Sequence, residues 1–298
     1  MPLAMRPYRP AEDFVPVGRF LVETYEPGST LVNWLQPRWE YMHAHSNIGS
    51  IAVGAIGVAT DGGEIVGVVH PEHTMAFVYF QAVPGAREVR AALLDWAEAR
   101  LGGWSRTYDR HLLGCYIDDH DVELQELAGG RGFAATDEHA EDHARVALTA
   151  QVPEPRIPTG YALHSLAESN DLSEVHRVLW LGFDHDGPVP ESGIAARQVM
   201  QETPGFRKDL NVVAVAADGH YAAYAGMWLV SDNHVGYVEP VATDPDHRRR
   251  GVGRAAVLET LRRVRDQGAD VAWVGSGQAF YTAMGFRITC RTRLWLKG

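Results

Sequence analysis

This sequence predicts a mixed α/β (α+β) chain of two like units, each a mixed, mostly antiparallel sheet flanked by helices. Three observations carry the prediction. Segments of alternating apolar residues are interleaved with segments of helical period along the whole chain. The stretch 151–158 holds three prolines, Pro153, Pro155 and Pro158, which suit an extended connector and neither a helix nor a central strand. Each half also closes with a strand, a short helix and a Gly-Phe pair, Gly132 with Phe133 and Gly285 with Phe286. The expected division is a first unit over 1–150, a linker over 151–158 and a second unit over 159–298.

In the first unit, 7–13 reads as the passage from a strand into a helix, and 14–25 and 34–45 read as helices. Segments 55–60, 64–70 and 75–82 read as strands, the first two joined by Asp61, Gly62 and Gly63. A helix over 87–101, a strand over 111–117 and a short helix from Asp121 follow. Asp137, Glu138, His139, Glu141, Asp142 and His143 make 137–143 read as a polar loop. In the second unit, 161–166 is a strand, and Ser169 or Asp171 caps a helix running to about 183. A helix over 194–202 and a strand over 211–216 come next. Asp218 and Gly219 signal a tight hairpin into strands 221–230 and 234–242. In 252–266, Val257, Leu261 and Val264 fall on one helical face, and Arg262, Arg263 and Arg265 fall mostly on the other. Gly268 ends that helix. A strand over 271–274, a short helix over 278–284 and a strand over 286–296 complete the order.

Composition limits the function. A chain of 298 residues with 46% hydrophobic and 22% charged residues has the balance of a globular protein. No apolar run reaches the roughly 18 residues of a membrane-spanning helix, and the first residues carry no secretory signal, so a cytoplasmic location is expected. Cys115 and Cys290 lie far apart without CxxC spacing, as expected of idle thiols. The net charge is −11, and nearly all of it lies in residues 1–150, which hold 11 Arg against 21 Asp and Glu. That acidity argues against nucleic acid or an anionic membrane as partner and suits a cationic small molecule. Among the 14 histidines, His43 with His45 and His139 with His143 have suggestive spacings. Neither pair sits in an HExxH pattern, and no metal is expected. Trp34, Trp180 and Trp228 are expected in the core.

The sharpest local signal runs from Val238 to Ala256. A strand carrying Glu239 ends near Thr243, a turn with Pro245 follows, and Arg248, Arg249, Arg250, Gly251, Val252 and Gly253 lead into an amphipathic helix. The first turn of a helix presents unpaired N–H groups and partial positive charge, which bind phosphate oxygens. Gly251 and Gly253 let a pyrophosphate approach the backbone, and the arginines add charge-assisted donors. Tyr281 to Phe286, with its Tyr-x-x-x-Gly-Phe pattern, follows about 40 residues after Glu239. Other nucleotide signatures do not match. There is no GxxxxGK[ST]. Gly275, Ser276 and Gly277 lack both a βαβ setting and the GxSxG of a nucleophile elbow.

This arrangement resembles the GNAT superfamily of acyl-CoA N-acyltransferases over most of 160–298, with the specificity carried by 239–286. The resemblance implies acetyl-CoA as co-substrate, with its pyrophosphate on the 248–253 loop and Arg254. It also implies a strand end, Val241, Ala242 and Thr243, that splays to admit the pantetheine. It implies Glu239 as the base that takes a proton from the amine and Tyr281 as the acid near the leaving thiolate. The Val241 N–H would hold the thioester oxygen. The region after the first helix of such a domain shapes the acceptor site, which makes Asp184 and Asp186 candidates to hold a cationic amine. Many relatives carry an asparagine shortly before the tyrosine helix, where this chain has 273–278 without one. The first half is similar to a degenerate copy, because 82–90 has no RxxGxG. The implied activity is acetyl transfer to a primary amine of a small molecule by direct attack in a ternary complex. The alternative is a non-catalytic acyl-CoA-binding regulatory protein. The acceptor, the acyl chain length and the oligomeric state stay open.

Overall fold

The computed structural model of the protein describes residues 2–297 other than 30, 33, 46, 47, 50, 73 and 149–151, and describes their side chains other than at 138–140. In chain order the elements are β1 (Ala4–Pro7), α1 (Pro10–Glu23), α2 (Gln36–Ala44), β2 (Gly57–Asp61), β3 (Glu64–Pro71), β4 (Phe77–Ala82), α3 (Arg87–Arg100), β5 (Gly103–Ser105), β6 (Arg110–Leu112), β7 (Gly114–Asp118), α4 (Val122–Gly129) and β8 (Phe133–Ala147). The second series is β9 (Tyr161–Ser165), α5 (Leu172–Gly182), α6 (Gly193–Gln201), β10 (Val212–Ala216), β11 (Tyr221–Val230), β12 (Val235–Thr243), α7 (Val252–Asp266), β13 (Val271–Val274), α8 (Ala279–Thr282) and β14 (Arg287–Lys297). Apart from the β5–β6 hairpin, the order from β1 to β8 recurs from β9 to β14.

Two compact units result, Met1–His143 with Thr289–Gly298, and Ala144–Ile288. They do not coincide with the sequence halves divided at 151–158, because the last strand of each repeat runs on into the other unit. The end of β8 pairs Ala144 to Ala147 with β13 of the second unit, and β14 pairs Thr292 to Leu296 with β7 of the first. A proline-rich stretch marks where the chain is extended; it carries no information on which sheet a distant strand completes.

In the first unit, β2, β3 and β4 form an antiparallel meander with β1 on its edge, and β7 runs parallel to β4. Helix α3 lays Val89, Leu93, Leu94 and Ala97 against Val69, Val78, Cys115 and Ile117. Val17, Phe20, Leu21, Trp39 and Met42, from α1 and α2, pack with Ile56, Val58 and Val68. Two expectations are corrected here. The strand expected over 111–117 is two strands, β6 and β7. The expected polar loop at 137–143 belongs to the long strand β8. Within it Glu141 turns inward to the buried Arg38 guanidinium at 2.9 Å, which also pairs with Glu72 at 2.8 Å, whereas Asp137 is exposed. His143 is buried in that strand, whereas the side chain of His139 lies outside the described residues.

In the second unit, β9, β10, β11 and β12 are successive antiparallel neighbours, and β13 runs parallel to β12. Val212, Ala225, Met227 and Val238 meet Val257, Leu261 and Val264 of α7. Those three side chains are the face that the helical period predicts, and burying each stabilises the fold by roughly 1.5–3 kcal/mol. Val213, one residue on from Val212, points to the opposite face of the sheet. There it packs with Val175, Val178 and Leu179 of α5. Asp171 caps α5, its carboxylate accepting from the N–H groups of Ser173 (2.8 Å) and Glu174 (3.2 Å). Gly268, with φ +97°, turns the chain out of α7. Among the described residues no helix is long and apolar enough to cross a membrane.

Candidate active site

The site begins where two parallel strands part. Strand β12 pairs with β13 only through Val235, Gly236 and Tyr237, although β12 continues to Thr243. On its other side β12 pairs with β11, with a register shift between Ala225 and Met227. At that shift Gly226 faces the Glu239–Pro240 peptide, which is cis. A Cβ on Gly226 would lie 2.3 Å from the Glu239 carbonyl oxygen and 2.9 Å from Pro240 Cδ. The buried indole of Trp228 donates to the same oxygen at 2.9 Å. The bulge therefore rests on a missing side chain and one hydrogen bond, and it turns β12 at the residue predicted to be the base.

Beyond the bulge, Ala242 packs closely on α5. A Cβ on Gly182 would meet the Ala242 Cβ at 2.7 Å. Asp244 then ends the strand. Its carboxylate accepts from the Asp246 N–H at 3.0 Å, opening a 3-10 turn over Pro245–His247. The other oxygen of this buried group receives Arg177 from α5 at 2.7 Å. Arg177 also donates to the Tyr221 carbonyl and to Glu174, so one guanidinium ties the turn, α5 and the start of β11 together.

The loop that follows has two residues in the left-handed region, Arg249 at φ +64° and Gly251 at φ +85°. Such turns direct successive N–H groups toward one point. Gly251 is the N-cap of α7, and open space surrounds the position a Cβ would take there. Gly253 has a different reason to be glycine. A Cβ there would come within 2.5 Å of Thr243 Oγ1, so its bareness lets α7 close onto β12. Arg249, Arg250 and Arg254 are exposed around this helix end. Arg248, exposed as well, folds back on the end of α5, with Nη2 donating to Gly182 O (3.0 Å) and to Asp184 (2.8 Å). Asp184 thus sits in an ion pair with the loop. Asp186 lies exposed two residues further on. Arg250 donates to the Tyr161 hydroxyl at 3.0 Å, and that hydroxyl is 2.9 Å from His247 Nδ1.

Tyr281 is buried on α8, its ring edge-on to Phe280 at 5.0 Å and to Phe286 at 5.8 Å. Burial pushes its phenol up to about 12, and the negative charge of Glu239 adds to the rise. The two residues, 42 positions apart in sequence, therefore feel each other's charge. Glu239 is half-buried, as are Val241 and Thr243 beyond it on β12. Trp228 and Trp34 are buried as expected. Trp180 is only half-buried and lies against His185 at a tilt of 31°, with ring centroids 4.5 Å apart.

Sequence reasoning overlooked Gly226, Tyr161 and the Arg177–Asp244 pair, and read Trp228 as core without its bond to Glu239. None carries a local signal. Arg177 and Asp244 stand 67 positions apart, and a glycine or tryptophan within a strand reads as ordinary packing.

Residues 173–286 match the family described as "Acetyltransferase (GNAT) family". No curated protein matches the sequence. Solved structures match along almost the whole length. A tandem GNAT protein from the clavulanic acid biosynthesis pathway aligns with TM-score 0.66 at 16% identity, covering 100% of this chain and 99% of its own. A GCN5-related N-acetyltransferase from Sphaerobacter thermophilus aligns with TM-score 0.64 at 16% identity, covering 99% and 95%. A GNAT-family acetyltransferase from Colwellia psychrerythraea aligns with TM-score 0.58 at 8% identity, covering 100% of both chains. At these identities the structural matches establish the shared fold, and the family match establishes the kind of domain. Over residues 173–286 the chain carries a domain of the acetyltransferase (GNAT) family, and it is an acyl-CoA-dependent N-acyltransferase with acetyl-CoA as its co-substrate.

Proposed function

We propose that the second unit moves the acetyl group of acetyl-CoA to a primary amine of a small-molecule acceptor by direct attack in a ternary complex. The observation that carries this reading is the run from Glu239 to Gly253. A carboxylate stands at a bulge beside the parted strands, and a left-handed turn at a helix N-terminus lies a few residues away. In this reading the N–H groups of Gly251, Val252 and Gly253 hold the diphosphate, with Arg249, Arg250 and Arg254 around it. Arg248 shapes the loop through Gly182 and Asp184. Val241, Ala242 and Thr243 line the pantetheine, and the Val241 N–H takes the oxygen that gains charge.

An alkyl amine has an ordinary pKa of about 10.4 and arrives charged. Glu239 accepts its proton, directly or through water, and the freed nitrogen lone pair attacks the thioester carbon. The C–N bond forms, the C–S bond breaks, the thiolate takes the Tyr281 proton, and the second proton lost by the acylated nitrogen passes through water to restore the phenol. The charge coupling of the two residues gives this order a physical basis. While Glu239 is ionised it holds the phenol up. Once Glu239 carries the amine's proton that contribution vanishes, and Tyr281 becomes a better donor when the thiolate appears. Asp186 is the remaining acidic candidate to receive a cationic acceptor, since Asp184 is paired with Arg248.

The test is CoA-thiol release over a panel of amines, aminoglycosides and amino acids, with Glu239→Gln and Tyr281→Phe. The expected loss is about 100-fold or more in kcat for the first variant and about tenfold or more for the second, with acetyl-CoA binding kept. Unchanged turnover in both variants would overturn the roles assigned. Tight acetyl-CoA binding with no turnover on any acceptor would favour a regulatory binding protein instead.

A further inference from the structure

The first unit contains a cavity of about 210 Å³. It opens where β4 and β7 part. These strands pair in parallel only through Phe77 with Gly114 and Val78 with Cys115. The residues just beyond, Tyr79 on β4 and Tyr116 and Asp118 on β7, line the cavity. By element order this is the counterpart of the opening between β12 and β13. Its chemistry is inverted. Among the described lining residues Arg90 is the one cation, and it is already held by Asp121 at 2.6 Å and Glu123 at 3.4 Å. Glu26, Asp118 and Asp121 all border the space. A coenzyme diphosphate would meet net negative charge here, whereas a cation would be drawn in.

Two further observations point to a ligand. Trp34 borders the cavity and is only 4% exposed, yet its indole N–H has no hydrogen-bond partner among the described residues. A buried donor left unpaired costs roughly 1–3 kcal/mol, and the ring cannot easily turn to find one. It is held by the Arg38 guanidinium 3.9 Å from its centroid and by Tyr79 at 4.4 Å. The second observation is Asp118. This buried carboxylate accepts from the Val32 N–H (3.1 Å) and the His120 N–H (2.7 Å). Its one cationic neighbour within ion-pair range among the described residues is the exposed His120 imidazole at 3.3 Å. Burial holds its carboxyl above the usual range, the behaviour of a group with little positive charge nearby. A carboxylate has about four acceptor sites, so capacity remains for a charged donor. Tyr79 and Tyr116, with ring centroids 4.5 Å apart, add π faces of the kind that attract ammonium groups.

We propose that the first unit binds a small organic ammonium bearing a hydrogen-bond acceptor, with Asp118, Tyr79 and Tyr116 receiving the cation and the Trp34 N–H receiving the acceptor. The cavity is smaller than the roughly 300–1,000 Å³ of drug-sized sites, so the ligand is of the size of choline or ethanolamine. The proposal does not depend on the acetyl-transfer mechanism of the second unit.

The test uses the full chain and calorimetric titration with choline, ethanolamine and glycinamide. The neutral alcohol 3,3-dimethylbutan-1-ol, which has the shape of choline without its charge, is the control. At least one cation is expected to bind with Kd below about 1 mM, and the alcohol at least about tenfold more weakly. Asp118→Asn is expected to weaken the cation about tenfold, and Trp34→Phe about fivefold, while acetyl-CoA still raises the melting temperature of both variants. Saturating acetyl-CoA is expected to leave cation binding in place. Four results would each overturn the proposal: no binding by any of the three cations, equal binding of the neutral alcohol, displacement of the cation by acetyl-CoA, or full cation affinity in the variants. If Asp118→Asn does not fold, Trp34→Phe carries the same test.

Discussion

Gly226→Ala probes the site without touching any group assigned to chemistry. The added Cβ would fall 2.3 Å from the Glu239 carbonyl oxygen and 2.7 Å from its carbon, where about 3.0 Å is the least that real contacts allow. The obstacle is backbone, so it cannot swing aside as a long side chain would. The Glu239–Pro240 peptide must therefore retreat by roughly 0.7 Å or more, and the Trp228 hydrogen bond of 2.9 Å is stretched with it. Overpacking of this kind costs about 1–3 kcal/mol, and the weakened hydrogen bond adds about 1 kcal/mol. The kinetic effect should be larger than the loss of stability implies. A displacement near 1 Å of a reacting group costs on the order of 100-fold in rate. The turn at 249–253 is several residues away, so acetyl-CoA affinity should change by less than about threefold. The assay is steady-state CoA-thiol release, with acetyl-CoA binding measured separately by calorimetry. A folded Gly226→Ala protein with wild-type kcat would refute the argument that the bulge positions the base.

Other perturbations separate the parts of the site. Gly251→Ala forces a side chain into φ +85° and should cost about 1–2 kcal/mol, read as roughly tenfold weaker acetyl-CoA binding by calorimetry. Asp244→Asn breaks the 2.7 Å pair with Arg177, which is largely shielded from water. It should lower stability by about 2–3 kcal/mol in urea titrations and raise the KM for acetyl-CoA; no change in either would show that the pair does not organise the turn. In the first unit, burial depresses His70 to about 4 and His143 to about 3, from the ordinary 6.5. A depressed histidine leaves the unfolded chain binding more protons, so stability is complete above about 6.5 and falls as pH drops toward 4. Each should remove roughly 2 kcal/mol between pH 6.5 and 5, visible in urea midpoints and reduced in His70→Gln; a flat profile over that window would contradict the assignment. Glu141 and Asp118, held above the usual carboxylate range by burial, act in the opposite direction at the lower end of that window.

The sequence was most legible where one short stretch decides the structure. The apolar period of 252–266 yields α7 at its observed bounds, and Asp218 with Gly219 yields the β10–β11 hairpin. Glu239 and Tyr281 were visible as residues, and the structure adds that they share an electrostatic field. Illegible features all depend on partners far away in the chain. The run 137–143 looks like a loop because its charges are visible and Arg38, about 100 positions earlier, is not recognisable as the partner of Glu141. Gly226 gives no hint that a peptide 13 positions later presses against it.

The strand exchange sets the strictest limit on what a linear reading can deliver, and it makes a prediction of its own. Residues 289–297 belong in sequence to the repeat that carries the acetyl-CoA site, yet they complete the sheet of the first unit, pairing Thr292 with Asp118 and Leu296 with Gly114. Cys290 and Leu294 are buried there, and Trp295 packs against the same core as Leu93 and Ile117. A chain ending at 288 would uncover one edge of β7 and lose several buried side chains, each worth roughly 1.5–3 kcal/mol. That loss rivals the 5–15 kcal/mol by which a typical domain is stable. The first unit should therefore unfold in the shortened chain, although the cut lies in the second repeat. Backbone hydrogen exchange resolves the outcome by region. Protection should disappear from β2, β3 and β7 and persist in β11, β12 and α7. Loss of protection from β11 and β12 first would mean that the terminal strand supports the acetyl-CoA-binding unit, and the repeats would then be separable at the proline-rich stretch after all.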